Sequence, residues 1–238
     1  MRKSKPMEVS YSSKPTGPLN LYVHFIGKNP STSFNLKSNL PTIDASTFIG
    51  PFSSVIGDVT ICKNVFLACN VTIRADEGTP FFIGDNTNLQ DGVILHGLKE
   101  GRVLVEDIQY SIFIGKNVTC AHGSIIHGPC KLDNNVFVGF NAIVFNAVIG
   151  KGSYISNGAI VTGGVKLASN RFVPSGILVD TQEKADKLGS VPTTQAEFAE
   201  QVQLINKEFS GAYSLMFGAL RCSCGLACDP ENLKNPHW

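Results

Sequence analysis

The stretch Ile114-Gly115-Lys116-Asn117-Val118-Thr119-Cys120-Ala121-His122-Gly123-Ser124-Ile125-Ile126-His127-Gly128-Pro129-Cys130-Lys131-Leu132 carries the pattern that decides the fold. Ile114, Cys120, Ile126 and Leu132 stand six residues apart, and the step continues through Val138 and Val144. Upstream, Ile49, Val55, Ile61, Leu67 and Ile73 keep the same spacing, with Val59, Val65 and Val71 two places before three of them. A break at 74–82 is followed by Ile83, Leu89 and Leu95, and a polar, charged break by residues 96–111. Beyond Val144 the step slips by one residue and then runs on through Ile149, Ile155, Val161, Leu167 and Val173.

Self-similarity of this length outranks local propensity. Six residues are too few for a helical repeat and suit a short strand plus a tight turn, with one aliphatic side chain pointing inward per unit. Three units close a triangular coil, and stacked coils bury one another's apolar faces. The expected fold is all-β, a left-handed parallel β-helix of hexapeptide repeats. Gly50, Asn64 and Asn70 fit corners, where a positive φ is tolerated. A flat β-sandwich does not account for unbroken sixes.

The 238 residues carry 20 Lys+Arg against 19 Asp+Glu, a formal charge of +1 with no block of one sign. That gives no electrostatic case for nucleic acid or an anionic membrane, and the longest apolar run is too short to span a bilayer. Residues 1–18 hold Arg2, Lys3 and Lys5 without an apolar core of signal-peptide length. Scattered cysteines suit a reducing compartment, so the expected location is cytoplasmic.

Four regions follow: an irregular arm at 1–40 with a short extended segment near 21–26, the β-helix at 41–180, helices at 181–220, and a cysteine-containing tail at 221–238. Thr194-Gln195-Ala196-Glu197 has capping-box form. Phe198, Val202, Ile205, Phe209, Tyr213 and Met216 then recur as one apolar helical stripe, which needs the side of its own prism or a neighbour's. A shorter helix is expected over 182–188.

The chain has five histidines, and three fall in the repeats. His96 follows Leu95 and His127 follows Ile126, so both occupy the outward slot after an inward aliphatic. His122 stands two places after Cys120, at a corner, and a convex prism cannot fold that corner back over its own face. The spacing therefore predicts a site shared between subunits, closed by cyclic symmetry in a homotrimer. Three imidazoles with a fourth position for water form the ligand set of a catalytic zinc, and iron or cobalt suits the same donors. Gln90 is placed to hydrogen-bond the hydroxide, Glu77 to relay protons, and Arg74 with Asp76 to form a structural or intersubunit ion pair.

With these residues assembled, the chain resembles the γ-class carbonic anhydrases, and among them the carboxysomal members. The resemblance covers residues 40–215 and rests on Arg74-Ala75-Asp76-Glu77-Gly78-Thr79-Pro80, on the run from Asn88 to Gly97, on Ala121-His122 through Pro129, and on Val173-Pro174-Ser175-Gly176. It implies a trimer hydrating CO2 to bicarbonate, with His96 and His127 from one subunit and His122 from the next. It also implies that Gln90, Glu77, Asn88 and Asn206 line the pocket. Two departures bear on proton export: the loop 97–110 offers Glu100 and Glu106 without aligning either to the family's shuttle glutamate, and Leu204 stands in place of a tyrosine. Some carboxysomal relatives carry two cysteines six apart after the helix, which implies a Cys222–Cys228 disulfide; free thiols are the alternative. The chain ends at Trp238 without the repeats resembling the Rubisco small subunit that carboxysomal relatives carry, which leaves a fragment or a stand-alone enzyme open. The rival functions are a catalytically silent carboxysomal scaffold binding Rubisco or shell proteins in the carboxysome lumen, and a hexapeptide acyltransferase, which would leave two histidines unexplained.

Overall fold

In the computed structural model, residues 24–218 are described. Short strands wind into a parallel β-helix with three faces. A 13-stranded sheet bends over two of them and a seven-stranded sheet forms the third. The first face stacks strands Ser54–Gly57, Thr72–Ala75, Ile94–Gly97 and the start of Ile125–Leu132. The second stacks Val59–Ile61, Phe81–Ile83, Ile112–Ile114 and the end of that same long strand. The third stacks Phe48–Ile49, Phe66–Leu67, Asn88–Leu89, Thr119–Cys120 and Phe137–Val138.

Every aliphatic of the six-residue series, from Ile49 to Val173, is buried in one continuous core. Parallel register places each above its counterpart: Val55 pairs with Ile73, Ile73 with Leu95, and Leu95 with Ile126. The corners are built by asparagine and glycine, with Asn64, Asn70, Asn117, Asn135, Asn141 and Asn170 at φ between 52° and 61° and Gly92, Gly123, Gly152, Gly158 and Gly176 between 65° and 72°. One corner departs: Phe52 holds φ 60° with its side chain 65% exposed, where sterics favour Gly or Asn.

The one-residue slip after Val144 has a local cause. Between His127 and Cys130 the ladder to strand Ile143–Ile149 shifts register, with Gly128 and Pro129 opposite the single Asn146, which takes φ 48°. Pro129 has no N–H to offer the ladder, and two residues opposing one make a bulge. The second break in the repeats is an antiparallel hairpin, Val103–Val105 with Ile108–Tyr110. The extended segment of the arm is strand Phe25–Gly27, which adds to the first face beside Ser54–Gly57.

Helix α1 (Gln182–Asp186) starts at Thr181, whose hydroxyl accepts from the Lys184 N–H, and is shorter than the 182–188 expected. Helix α2 (Thr193–Gly218) packs along the third face. Two expectations about it are corrected. Thr194 does not cap it: the Pro192 carbonyl already accepts from the Gln195 and Ala196 N–H groups, so Thr194 lies inside the first turn and its hydroxyl donates to Gln195 Oε1 instead. The apolar stripe is only partly the inner face: Val202, Phe209 and Tyr213 pack on the prism and Phe198 meets Phe137 edge-on, whereas Ile205 is 55% exposed. Polar Asn206 and Ser210 are buried positions: Asn206 donates to the Val202 carbonyl of its own helix, and Ser210 meets carbonyls of the prism. Ser210 donates to the Ser46 carbonyl, while aromatic packing of Phe209 and Tyr213 on Phe48 and Phe66 secures the far end. Among the described residues no helix is long and apolar enough to cross a membrane.

Candidate metal centre

Two of the three candidate ligands meet on the first face. The pairing of Ile94–Gly97 with Ile125–Leu132 sets His96 directly beside His127. Alternation along the strand turns Leu95 and Ile126 into the core, both fully buried, and the rings outward. His96 Nδ1 lies 3.2 Å from His127 Nε2, and the ring planes cross at 70°. His127 Nδ1 is 3.1 Å from the Gly128 carbonyl. A carbonyl only accepts, so Nδ1 carries the proton and Nε2 keeps its lone pair.

Acidic residues close over the other side of His96. Arg74 pairs with His96 in the ladder, and its Nε donates to Asp76 Oδ2 at 3.0 Å. His96 Nε2 sits 3.3 Å from Asp76 Oδ1 and 3.8 Å from Glu77 Oε2. Both His96 Nε2 and Asp76 Oδ1 are buried without a hydrogen bond. Burial pushes the Asp76 carboxyl up, yet the hydrogen bond and charge of Arg74 outweigh it and hold the group below the ordinary carboxylate range. Glu77 is pinned through Oε1 by the Lys99 N–H at 2.9 Å, which leaves Oε2 toward His96.

His122 lies elsewhere, at the corner after strand Thr119–Cys120, with its side chain 54% exposed. Its Nδ1 is 2.9 Å from Asp91 Oδ2, and the ring stacks on Phe140 at 5.6 Å. Asp91 is held in turn by the Cys69 N–H at 3.0 Å. A carboxylate partner places the proton on Nδ1 and leaves Nε2 free to ligate. Beside the ring, a cavity of about 160 Å³ is lined by Gln90, Val202 and Asn206. Gln90 and Asn206 are both 7% exposed; the first donates to Asn88 Oδ1 at 3.4 Å and the second to the Val202 carbonyl at 2.9 Å.

One chain therefore gathers His96, His127, Arg74, Asp76 and Glu77 on one face, and His122, Gln90, Asn88 and Asn206 at a corner. It does not bring His122 to the other two, and among the described residues no cluster of three or more metal-ligating side chains forms. The donor set still fits an ion in part. Two nitrogens on a tetrahedral zinc at about 2.0–2.1 Å stand about 3.3 Å apart, close to the His96–His127 separation. With Asp76 and Glu77 on its Nε2 side, His96 turns Nδ1 toward His127 Nε2, and these are the two nitrogens an ion would share. Glu100 and Glu106 are exposed, the latter in the hairpin turn at φ 54°, and Leu204 is 58% exposed. Cys222 and Cys228 lie outside the described residues.

The sequence carries a signal for Asp91 as well. This residue precedes His122 by the same 31-residue coil offset that separates His96 from His127. Gln203 left no such signal: it reaches the third face only because α2 docks there.

The outward histidine pair on a hexapeptide β-helix defines a class, and comparison narrows it. Residues 41–75 match the family model "Bacterial transferase hexapeptide (six repeats)". The chain is 41% identical to the carboxysome assembly protein CcmM of Nostoc sp. over 185 residues, covering 77% of this chain and 33% of that protein. It thus spans about a third of that relative. It is 36% identical to the carbonic anhydrase of Methanosarcina thermophila over 200 residues, covering 79% and 81% respectively. With the Arabidopsis thaliana mitochondrial gamma carbonic anhydrase 2, identity is 34% over 120 residues, 49% of this chain and 40% of the relative. The chain belongs to the γ-class carbonic anhydrase family.

Proposed function

We propose that the chain is a γ-class carbonic anhydrase, hydrating CO2 to bicarbonate and a proton at metal sites between the subunits of a homotrimer. The observation that supports this reading is the placement of an outward histidine pair on a face and a third histidine at a corner, each rimmed by exposed apolar side chains. Ile94 and Leu98 flank His96 at 40% and 39% exposure; Phe140 and Ile205 flank His122 at 39% and 55%. Apolar surface of this kind marks an interaction site, and cyclic symmetry sets the corner of one copy against the face of the next.

His96, His127 and His122 of a neighbouring copy would hold the ion, zinc, iron or cobalt, with Asp91 orienting His122 through its Nδ1–H. Such an ion lowers the pKa of a water to about 7 and supplies hydroxide at neutral pH. Gln90 accepts a hydrogen bond from the attacking hydroxyl and orients it. Glu77 takes up the released proton, its free oxygen already facing His96. The apolar rim excludes bulk water and receives CO2, while Arg74 and Asp76 brace the strand carrying His96.

CO2 hydration by purified, metal-analysed protein tests the reading, wild type beside His122→Ala. Loss of both metal and activity in the variant is expected; equal rates contradict it. A second reading is a catalytically silent carboxysomal scaffold, favoured by the 41% identity to a carboxysome assembly protein. It would bind Rubisco or shell proteins and predicts wild-type protein that neither retains metal nor hydrates CO2.

A further inference from the structure

Helix α2 lines the candidate site with Val202, Ile205 and Asn206, but it hydrogen-bonds to the strand that carries Asn88 through Gln203, and the bonds that follow from that residue all run one way. Gln203 Nε2 donates to the backbone carbonyl of Asn86. A carbonyl cannot donate, so the Gln203 amide has one permitted orientation, and its Oε1 faces the prism as an acceptor. There it accepts from Asn88 Nδ2 at 2.9 Å and from the Thr119 hydroxyl at 3.0 Å. Asn88 Nδ2 also donates to Thr119 Oγ1 at 2.9 Å. With both N–H bonds of Asn88 so directed, its Oδ1 turns the other way and accepts from Gln90 Nε2 at 3.4 Å. One N–H of Gln90 is thereby committed to Asn88, and Gln90 Oε1 is left for the cavity it shares with His122 and Asn206.

Asn88, Thr119 and Gln90 are 1%, 2% and 7% exposed. Water does not randomise a buried chain of this kind, and reversing one amide would set donor against donor along its length. We propose that Gln203 is a positioning residue that fixes the amide polarity of Asn88 and, through it, of Gln90, so that the side chain beside His122 presents its acceptor oxygen. The inference rests on the carbonic anhydrase reading for its catalytic consequence, since an acceptor is what orients a hydroxyl nucleophile. The polarity itself is independent of that reading.

Three variants test it. Gln203→Leu removes the source of polarity, Gln203→Glu keeps an acceptor facing Asn88 and Thr119 while giving up the donor to the Asn86 carbonyl, and Gln90→Ala removes the end of the chain. Expected is a fall in kcat of roughly tenfold in Gln203→Leu, the lower end of what a lost outer hydrogen-bond partner costs, with metal content unchanged and kcat restored to within about twofold in Gln203→Glu. Combining Gln203→Leu with Gln90→Ala should lower kcat no further than Gln90→Ala alone, because residues acting as one unit are non-additive. Without reference to activity, the Gln90 side-chain NH2 signals should be dispersed in the NMR spectra of wild type and Gln203→Glu, and collapse toward free-amide positions in Gln203→Leu. Multiplicative losses, or Gln90 signals unmoved in Gln203→Leu, overturn the proposal. Wild-type protein inactive toward CO2 would sink the functional reading instead, and the NMR comparison would still decide the relay. Should Gln203→Leu undock the helix, Gln203→Glu decides alone: displaced Gln90 signals in a folded protein overturn it.

Discussion

The face that carries His96 and His127 and the corner that carries His122 present the same chemistry on different supports. On the face, two strands in fixed register do the positioning, and the rings stand side by side because their neighbours Leu95 and Ile126 share one core layer. At the corner there is no ladder to hold the ring. Asp91 and Phe140, from the coils on either side, hold it instead. A β-helix can place two ligands on a face through register alone, whereas a ligand at a turn needs side chains to aim it. The face half is set by strand register, with Asp76 and Glu77 behind His96; the corner half is aimed by side chains and half-exposed.

If the halves form one site, the three ligands should be equivalent despite their unequal surroundings. His96→Ala, His127→Ala and His122→Ala should each weaken metal binding by more than the roughly 100-fold that loss of an outer partner can cost, read by competition with a chelator. Wild-type affinity in His122→Ala would break the comparison at once. Next in size is the scaffold beneath the face. Ile126→Ala removes a fully buried side chain and should cost about 2–5 kcal/mol in denaturant unfolding; a cost near zero would mean that the layer under the histidines does not hold them. At the corner, Asp91→Ala should weaken metal binding by about 10–100-fold, with Asp91→Asn closer to wild type because its Oδ1 still accepts. No change in either variant would reduce the Asp91–His122 contact to an exposed pair.

The smallest effect concerns the thiols. Burial raises Cys120 and Cys130 from 9.0 to about 12, so both stay neutral in the native protein and ionise earlier when it unfolds. Their contribution to stability is full below about pH 9 and is lost as the pH climbs toward 12. At pH 8 a thiol reagent should label half-buried Cys62 and Cys69 first, with Cys120 and Cys130 reacting only on unfolding. Early labelling of Cys120 would show that the corner coil opens.

How much of this was legible depended on what the backbone alone decides. The steps of six predicted the core because each inward aliphatic needs only the one above it, and asparagine marked the corners through its tolerance of positive φ. The slot after Leu95 and Ile126 predicted an outward pair for the same reason. The rotation of α2 was not legible. Phe198, Val202, Ile205 and Phe209 form the apolar pattern and most of it packs on the prism, yet Ile205 stays exposed while Ser210 is buried against the Ser46 and Val65 carbonyls, which no helical periodicity reveals. Gln203 was hidden for the same reason, as its partners lie more than 80 residues away in the chain. Asp91 needed only the coil offset already in use for the histidines.

The claim at the centre of this account is that ligands from two copies meet at one ion. Chains bearing His122→Ala keep the face, and chains bearing His96→Ala keep the corner. Each variant alone should neither retain metal nor hydrate CO2, while the two refolded together in equal amounts should recover about a quarter of the wild-type sites, the fraction of interfaces that pair an intact face with an intact corner. A mixture as silent as its parents would contradict the account.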